Sequence, residues 1–217
     1  MIIAIDGPAG AGKSTVAREL AKRQGFQLVD TGAMYRCVAY EALKAGVDLE
    51  DADAVASIAG ELRFEFRFVD DENVTFCNGT AVQLEIRSAE VSRAASITSA
   101  PPEVREVLEK QQRQVGRDRS SVLEGRDIGT VVFPDAELKV FITASPEVRA
   151  RRRLEQMAEQ GEEAKYEEVL SEIVARDKRD SERDVAPLRQ AEDAVKIDSS
   201  NRTVEEILAE LEGLLEG

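Results

Sequence analysis

Short apolar runs alternate with amphipathic stretches along this 217-residue chain. Ile2-Ile3-Ala4-Ile5-Asp6 is nearly all apolar, as a strand buried on both faces is. Similar runs at about 26–29, 120–124, 138–143 and 194–198 predict further core strands. Apolar residues at helical spacing predict helices over 13–24, 32–45, 51–61, 88–97, 102–116, 146–160, 164–181 and 203–216. Ser145-Pro146-Glu147 puts a hydroxyl at the cap and proline at the first helical position. Thr203 with Glu206 reads as a capping box. Strands alternating with helices predict an α/β fold built on a parallel sheet.

One stretch breaks this rhythm. Arg63-Phe64-Glu65-Phe66-Arg67-Phe68-Val69 alternates with period two, as a half-exposed strand does. Val74-Thr75-Phe76-Cys77 and Thr80-Ala81-Val82-Gln83-Leu84 flank Asn78-Gly79, a strong hairpin signal. Residues about 62–86 are therefore expected to form a small antiparallel sheet inserted between α/β elements. The polar segment 159–168 is expected to be either a helix–helix turn or a mobile flap.

Composition narrows the chemistry. The net charge of −14 argues against a general nucleic-acid or anionic-membrane surface. Residues 41–90 alone hold 12 acids against 4 bases, so any anionic substrate needs a local group of arginines. The chain has no histidine, which removes histidine triads, proton shuttles and metal ligands. Cys37 and Cys77 lie far apart and are expected to be reduced, packed thiols. Asp6 interrupts the first apolar run and no run approaches 18 apolar residues, which predicts a soluble cytoplasmic protein.

Residues 7–14 read Gly-Pro-Ala-Gly-Ala-Gly-Lys-Ser, a complete G-x-x-x-x-G-K-S between a predicted strand and a predicted helix. Gly7, Pro8, Ala9, Gly10, Ala11, Gly12, Lys13, Ser14 and Thr15 are expected to hold ATP. The loop amides and the helix N-terminus favour phosphate there. Lys13 is expected to reach the β- and γ-phosphates, and the Ser14 hydroxyl to sit on Mg²⁺. Three further stretches bear on the acceptor. In Val29-Asp30-Thr31-Gly32-Ala33-Met34-Tyr35-Arg36 a strand end meets a helix, where Arg36 either forks onto an anion or is solvated beside a capping residue. In Glu124-Gly125-Arg126-Asp127-Ile128-Gly129-Thr130 the glycines suggest a tight turn projecting Arg126 and Asp127. Arginine suits a phosphate and aspartate suits a donor such as an exocyclic amine. Arg176, Arg179, Asp180 and Arg183 fall on one helical face, which reads either as an anion site or as a solvated, ion-paired face. The run Arg149, Arg151, Arg152, Arg153 is equally ambiguous, and Arg153 is placed with ATP.

Taken together these stretches resemble the bacterial-type cytidylate kinases, nucleoside monophosphate kinases of the P-loop class. The resemblance runs end to end and extends to Arg176-Asp177, Arg179-Asp180 and Val185-Ala186-Pro187-Leu188. It implies a P-loop NTPase-type core, a parallel sheet flanked by helices, with a small inserted antiparallel sheet and a short helical lid. It divides a single kinase unit, 1–217, into a core (1–30, 115–150, 185–217), a monophosphate-binding region (31–114) and a lid region (151–184). It implies that Thr31, Tyr35, Arg36, Ser96, Arg105, Arg126, Asp127, Arg176 and Asp180 bind CMP, and that Lys13, Arg126, Arg176 and Arg183 act on the transferring phosphoryl group. The implied reaction is Mg²⁺-assisted transfer from ATP to CMP or dCMP, in pyrimidine metabolism, by a cytoplasmic monomer without nucleic-acid or membrane partners. Shikimate and gluconate kinases share the loop but lack the insert and the Gly-Arg-Asp-Ile-Gly-Thr stretch. A UMP-accepting kinase is the nearer alternative. A non-enzymatic nucleotide switch is more distant, since no Asn-Lys-x-Asp stretch for guanine occurs.

Overall fold

The computed structural model describes residues 1–159 and 161–216. Among the described residues, eight strands fall in two sheets. The larger has the strand order 27–30, 121–125, 2–6, 138–143, 195–198, and the smaller has the order 64–69, 72–77, 80–82. By compactness the chain divides into two units, Met1–Ile2 with Ala21–Glu124, and Ile3–Leu20 with Gly125–Gly217.

The second unit is built around β1 (Ile2–Asp6), β7 (Leu138–Thr143) and β8 (Val195–Asp198). All three are parallel, with Ile5 opposite Val140 and Ile142 opposite Ile197. Ile3, Ile5, Val140, Ile142 and Ile197 are buried, which is why the β1 sequence is apolar on both faces. Helix α1 (Lys13–Gln24) leaves the phosphate-binding loop. Helices α6 (Pro146–Glu159) and α7 (Tyr166–Glu182) pack on each other, and α8 (Val204–Glu216) follows β8. The two expected caps form. Ser145 Oγ accepts the Val148 amide at 3.3 Å. Thr203 Oγ1 accepts the Glu206 amide at 3.2 Å, while Glu206 Oε2 accepts the Thr203 amide at 2.8 Å.

The first unit pairs β2 (Gln27–Asp30) with β6 (Ser121–Gly125) in parallel, Val29 opposite Leu123. Helix α2 (Thr31–Ala45) packs against α3 (Ala52–Glu61) and α4 (Ala89–Thr98), and α3 against α5 (Pro102–Arg117). The predicted insert forms β3 (Phe64–Val69), β4 (Glu72–Cys77) and β5 (Thr80–Val82). Phe64 and Phe66 are buried while Glu65 and Arg67 are exposed, the period-two pattern of a half-covered sheet. Two-residue turns join the strands, with positive φ at Asp70 and Asp71 (49° and 67°) and at Asn78 and Gly79 (49° and 78°).

Helix limits fall within two residues of the expected ones, and those of α1 coincide with them. The insert is shorter at its end, because Glu85–Arg87 closes into a 3₁₀ turn before α4. Of the segment 159–168, Gln160 lies outside the described residues. Around it α6 ends with Gly161 at φ +76° and the Glu162 amide donating to Met157 O at 2.9 Å. Among the described residues no helix is long and apolar enough to cross a membrane.

Candidate active site

The phosphate-binding loop is set by its backbone. Gly7 has φ +145°, and a Cβ there would meet the Ile142 carbonyl oxygen at 1.9 Å, so β7 excludes every side chain at this position. Lys13, only 6% exposed, donates from Nζ to Pro8 O at 2.8 Å, which holds its ammonium across the loop. Ser14 and Thr15 are exposed at the start of α1. The first turn of α1 carries no acid, so its N-terminal partial charge stays positive.

Two buried groups brace this loop that the sequence alone did not single out. Arg149 on α6 donates from Nη1 to Ala9 O (3.1 Å) and from Nε to Ala144 O (2.9 Å). Its guanidinium also grips Asp177 of α7 through both terminal nitrogens, at 3.0 and 2.5 Å. Ser199 Oγ donates to Ala11 O at 2.8 Å, and Arg152 donates to both Ser199 Oγ and Ser199 O. The arginine run thus divides by role. Arg149 and Arg152 serve the loop, Arg151 is exposed, and Arg153 donates to Gln156 of its own helix at 2.9 Å.

The Gly-Arg-Asp-Ile-Gly-Thr stretch runs into a turn of π-helix, Ile128–Val132, and neither Gly125 nor Gly129 takes a positive φ. Such turns are rare and concentrate at functional sites. Asp6, at the end of β1, caps it, with Oδ1 accepting the Ile128 amide at 2.8 Å and Oδ2 the Gly129 amide at 2.7 Å. Burial pushes the Asp6 carboxyl up to about 6 in spite of these two amides. Immediately before this turn, Arg126 donates from Nε to Asp180 Oδ2 at 3.0 Å, and Arg176 Nε lies 3.9 Å from the same oxygen. Arg183 Nη2 lies 3.6 Å from Asp127 Oδ1. Arg126, Asp127, Arg176, Asp180 and Arg183 therefore gather in one unit, three cations around two carboxylates. The expected four-residue helical face is corrected in two respects. Arg179 is exposed, and Arg183 lies one residue beyond α7 in an extended conformation (φ −64°, ψ 142°).

In the first unit Asp30 caps α2, accepting the Ala33 amide at Oδ1 (2.8 Å), and its Oδ2 accepts from Arg36 Nη2 at 2.8 Å. Arg36 is thus neither solvated nor fully used, since its Nε is buried without a hydrogen-bond partner. Thr31 Oγ1 donates to Glu124 O at 2.6 Å. Arg105 on α5 is 1% exposed, donates to Ser99 O at 3.2 Å, and lies 5.3 Å from the centre of the Tyr35 ring. Ser96 is half-buried on α4. Both cysteines are unoxidised and buried, as expected. A hydrogen bond between the two thiols, together with burial, pushes the Cys37 thiol up, while the same hydrogen bond holds Cys77 below its ordinary range against burial.

No cluster of three or more metal-ligating side chains occurs among the described residues. Asp6 and Asp30 commit both carboxylate oxygens to backbone amides or to Arg36.

Comparison with known proteins identifies the family. The profile of the family described as cytidylate kinase matches residues 3–216. A cytidylate kinase of Caldanaerobacter subterraneus subsp. tengcongensis is 49% identical over 206 residues, covering 95% of this chain and 90% of its own. That of Bacillus subtilis is 46% identical over 205 residues, covering 94% and 92%. Among solved structures, a shikimate kinase from Bacteroides thetaiotaomicron superimposes with a TM-score of 0.52 at 14% identity, covering 100% of this chain and 99% of its own, which is a likeness of fold.

Proposed function

This chain belongs to the cytidylate kinase family, and we propose that it transfers the γ-phosphoryl group of ATP to CMP and dCMP through the residues gathered in its two units. It is a nucleoside monophosphate kinase, and the UMP-accepting and non-enzymatic alternatives are not favoured. The observation that carries the residue assignment is the grouping of Arg126, Arg176 and Arg183 around Asp127 and Asp180 in the same unit as the phosphate-binding loop.

The acceptor needs no general base. A phosphate monoester has its second pKa near ~6 and is already an anionic nucleophile at neutral pH, which suits a chain without histidine. The task is to bring two polyanions together and to hold the charge that spreads over the moving phosphoryl group. Lys13 takes the β- and γ-phosphates, and Arg126, Arg176 and Arg183 neutralise the charge that develops during transfer. Mg²⁺ carried with ATP fits the exposed Ser14 hydroxyl, and when bound it supplies further neutralisation of the phosphate oxygens. Residues 7–15 hold the triphosphate, with Arg153 toward the rest of ATP. Thr31, Tyr35, Arg36, Ser96, Arg105, Arg126, Asp127, Arg176 and Asp180 hold CMP. The chain is read as a core (1–30, 115–150, 185–217), a monophosphate-binding region (31–114) and a lid region (151–184), in a cytoplasmic monomer working on small molecules.

Base choice follows from hydrogen bonding. Asp127 accepts from the cytosine N4 amine and arginines donate to O2 and N3. Uracil would set its O4 against the carboxylate, a mispairing of about 1–3 kcal/mol. A coupled ADP-release assay with ATP–Mg²⁺ against CMP, dCMP, UMP, AMP, GMP and shikimate tests the reading. Turnover concentrated on CMP and dCMP is the expected result, and equal turnover of UMP removes the role given to Asp127.

A further inference from the structure

Val185-Ala186-Pro187-Leu188 follows α7 and has no part in the chemistry above. Its backbone is unusual. Ala186 is buried and sits at φ +49°, in the left-handed region. Alanine has no side-chain polar group to stabilise that conformation. The following proline normally drives its predecessor to extended geometry. A conformation disfavoured on both counts persists only where its surroundings over-determine it, and such residues cluster at functional sites.

Two hydrogen bonds depend on the turn. The Leu188 amide donates to Asp180 O at 2.7 Å, folding the chain back on the last turn of α7. Arg183 Nε donates to Ala186 O at 2.6 Å. The guanidinium is thereby held at one edge by the Ala186 carbonyl, while Nη2 stands 3.6 Å from Asp127 Oδ1. Because Arg183 lies outside the helix, α7 does not fix its direction. The Ala186 carbonyl holds its Nε, and the left-handed backbone at Ala186 sets where that carbonyl points.

We propose that the left-handed turn at Ala186 is a positioning device for Arg183, setting the guanidinium in place before substrates bind. The inference rests on the reading of Arg183 as a contact of the transferring phosphoryl group. A pre-set arginine loses less side-chain freedom at the transition state, so the effect falls on kcat and not on KM.

The test is a double-mutant cycle read by steady-state kinetics with ATP and CMP, with thermal unfolding in parallel. Ala186→Val, whose β-branch resists the left-handed region, is expected to lower kcat at least tenfold with both KM values within twofold. Ala186→Gly keeps the region accessible but no longer fixes it, and is expected to lower kcat by about threefold. In an Arg183→Ala background neither substitution lowers kcat further. If Ala186→Val does not fold, the glycine cycle decides alone. Losses that multiply fully in the Arg183→Ala background, or a folded Ala186→Val with unchanged kcat, overturn the proposal while leaving the role of Arg183 intact. Normal turnover in Arg183→Ala alone instead removes the reading beneath it, and the proposal with it.

Discussion

The carboxylate of Asp6 accepts the backbone amide of Gly129 at 2.7 Å, across 123 residues of chain. One end of this bond is the strand that feeds the phosphate-binding loop. The other is the π-helical turn that directly follows Arg126 and Asp127. Its companion, from the Ile128 amide at 2.8 Å, makes the clamp bidentate. The fit is close on the other side as well, since a Cβ at Gly129 would meet Lys139 Cδ at 3.2 Å and Asp6 Oδ2 at 3.4 Å. The donor-side loop and the turn beside Arg126 and Asp127 are thus held to one frame inside a single unit.

That clamp predicts a particular pH dependence. The Asp6 carboxyl rises from 3.8 when unfolded to about 6 when folded, burial being the main cause. Between those values the folded chain binds a proton that the unfolded chain does not, so this group's contribution to stability falls as pH rises through the window. The size is about 3 kcal/mol at ~1.4 kcal/mol per unit. Asp6→Asn removes the titration. The stability difference between wild type and Asp6→Asn, from urea unfolding at pH 4 and pH 7, is expected to shift by roughly that amount, to the disadvantage of wild type at pH 7. A difference independent of pH would mean that Asp6 does not titrate in this range.

The glycines of the phosphate-binding loop carry a second prediction. A Cβ on Gly7 would lie 1.9 Å from the Ile142 carbonyl oxygen, whereas one on Gly25, at φ +65°, meets nothing within 4 Å. Gly7→Ala must displace either the loop or β7 and is expected to cost about 3 kcal/mol or more. Gly25→Ala carries only the left-handed penalty, about 1 kcal/mol. Equilibrium denaturation of the two variants checks the contrast.

Much of this architecture is legible in the sequence, and what is not has a common cause. The phosphate-binding loop is readable because its fixed positions are consecutive and lie between a strand and a helix. The hairpin at Asn78-Gly79 is readable because positive φ is needed there and those residues supply it. The cysteines follow from composition and context. The π-helical turn is not readable, because its cap is Asp6, more than a hundred residues away. Nor does the sequence distinguish Arg149 from Arg151, Arg152 and Arg153, since its partners Ala9 and Asp177 lie on other elements. The i, i+3, i+4, i+7 spacing puts Arg183 on the face of Arg176 only if the helix continues through it. The chain leaves α7 at Glu182. The preference of a pre-proline residue for extended geometry likewise gives no warning that Ala186 is left-handed. Local signals are read well, and long-range ties that override them are not.

Lys13 tests the donor side. Its ammonium is buried and bonded to the Pro8 carbonyl, so it is preorganised rather than recruited. Lys13→Ala loses the hydrogen bond to Pro8 O from the resting fold, which alone is worth about 1 kcal/mol of stability. On the proposed reading it also loses the charge that faces the transferring phosphoryl group, for which a fall in kcat of roughly 10²–10³-fold is expected. Turnover and urea unfolding measured on one preparation separate the two effects, and near-normal turnover would overturn the assignment.

Asp127 tests the acceptor side. Its carboxylate is buried and stands 3.6 Å from Arg183 Nη2. As an anion it can only accept, which suits the cytosine amine and opposes the uracil carbonyl. Asp127→Asn keeps the shape but presents an oxygen acceptor or an amide donor, according to how the group turns. The variant can therefore satisfy either base, and selectivity should collapse rather than invert. The ratio of kcat/KM for CMP to that for UMP is expected to fall by about 10- to 100-fold, the equivalent of one mispaired buried group. Part of that change arises from faster UMP turnover, which no loss of stability or of general phosphate binding would produce. A variant that slows on CMP while UMP stays equally poor would show that Asp127 serves Arg183 and not the base.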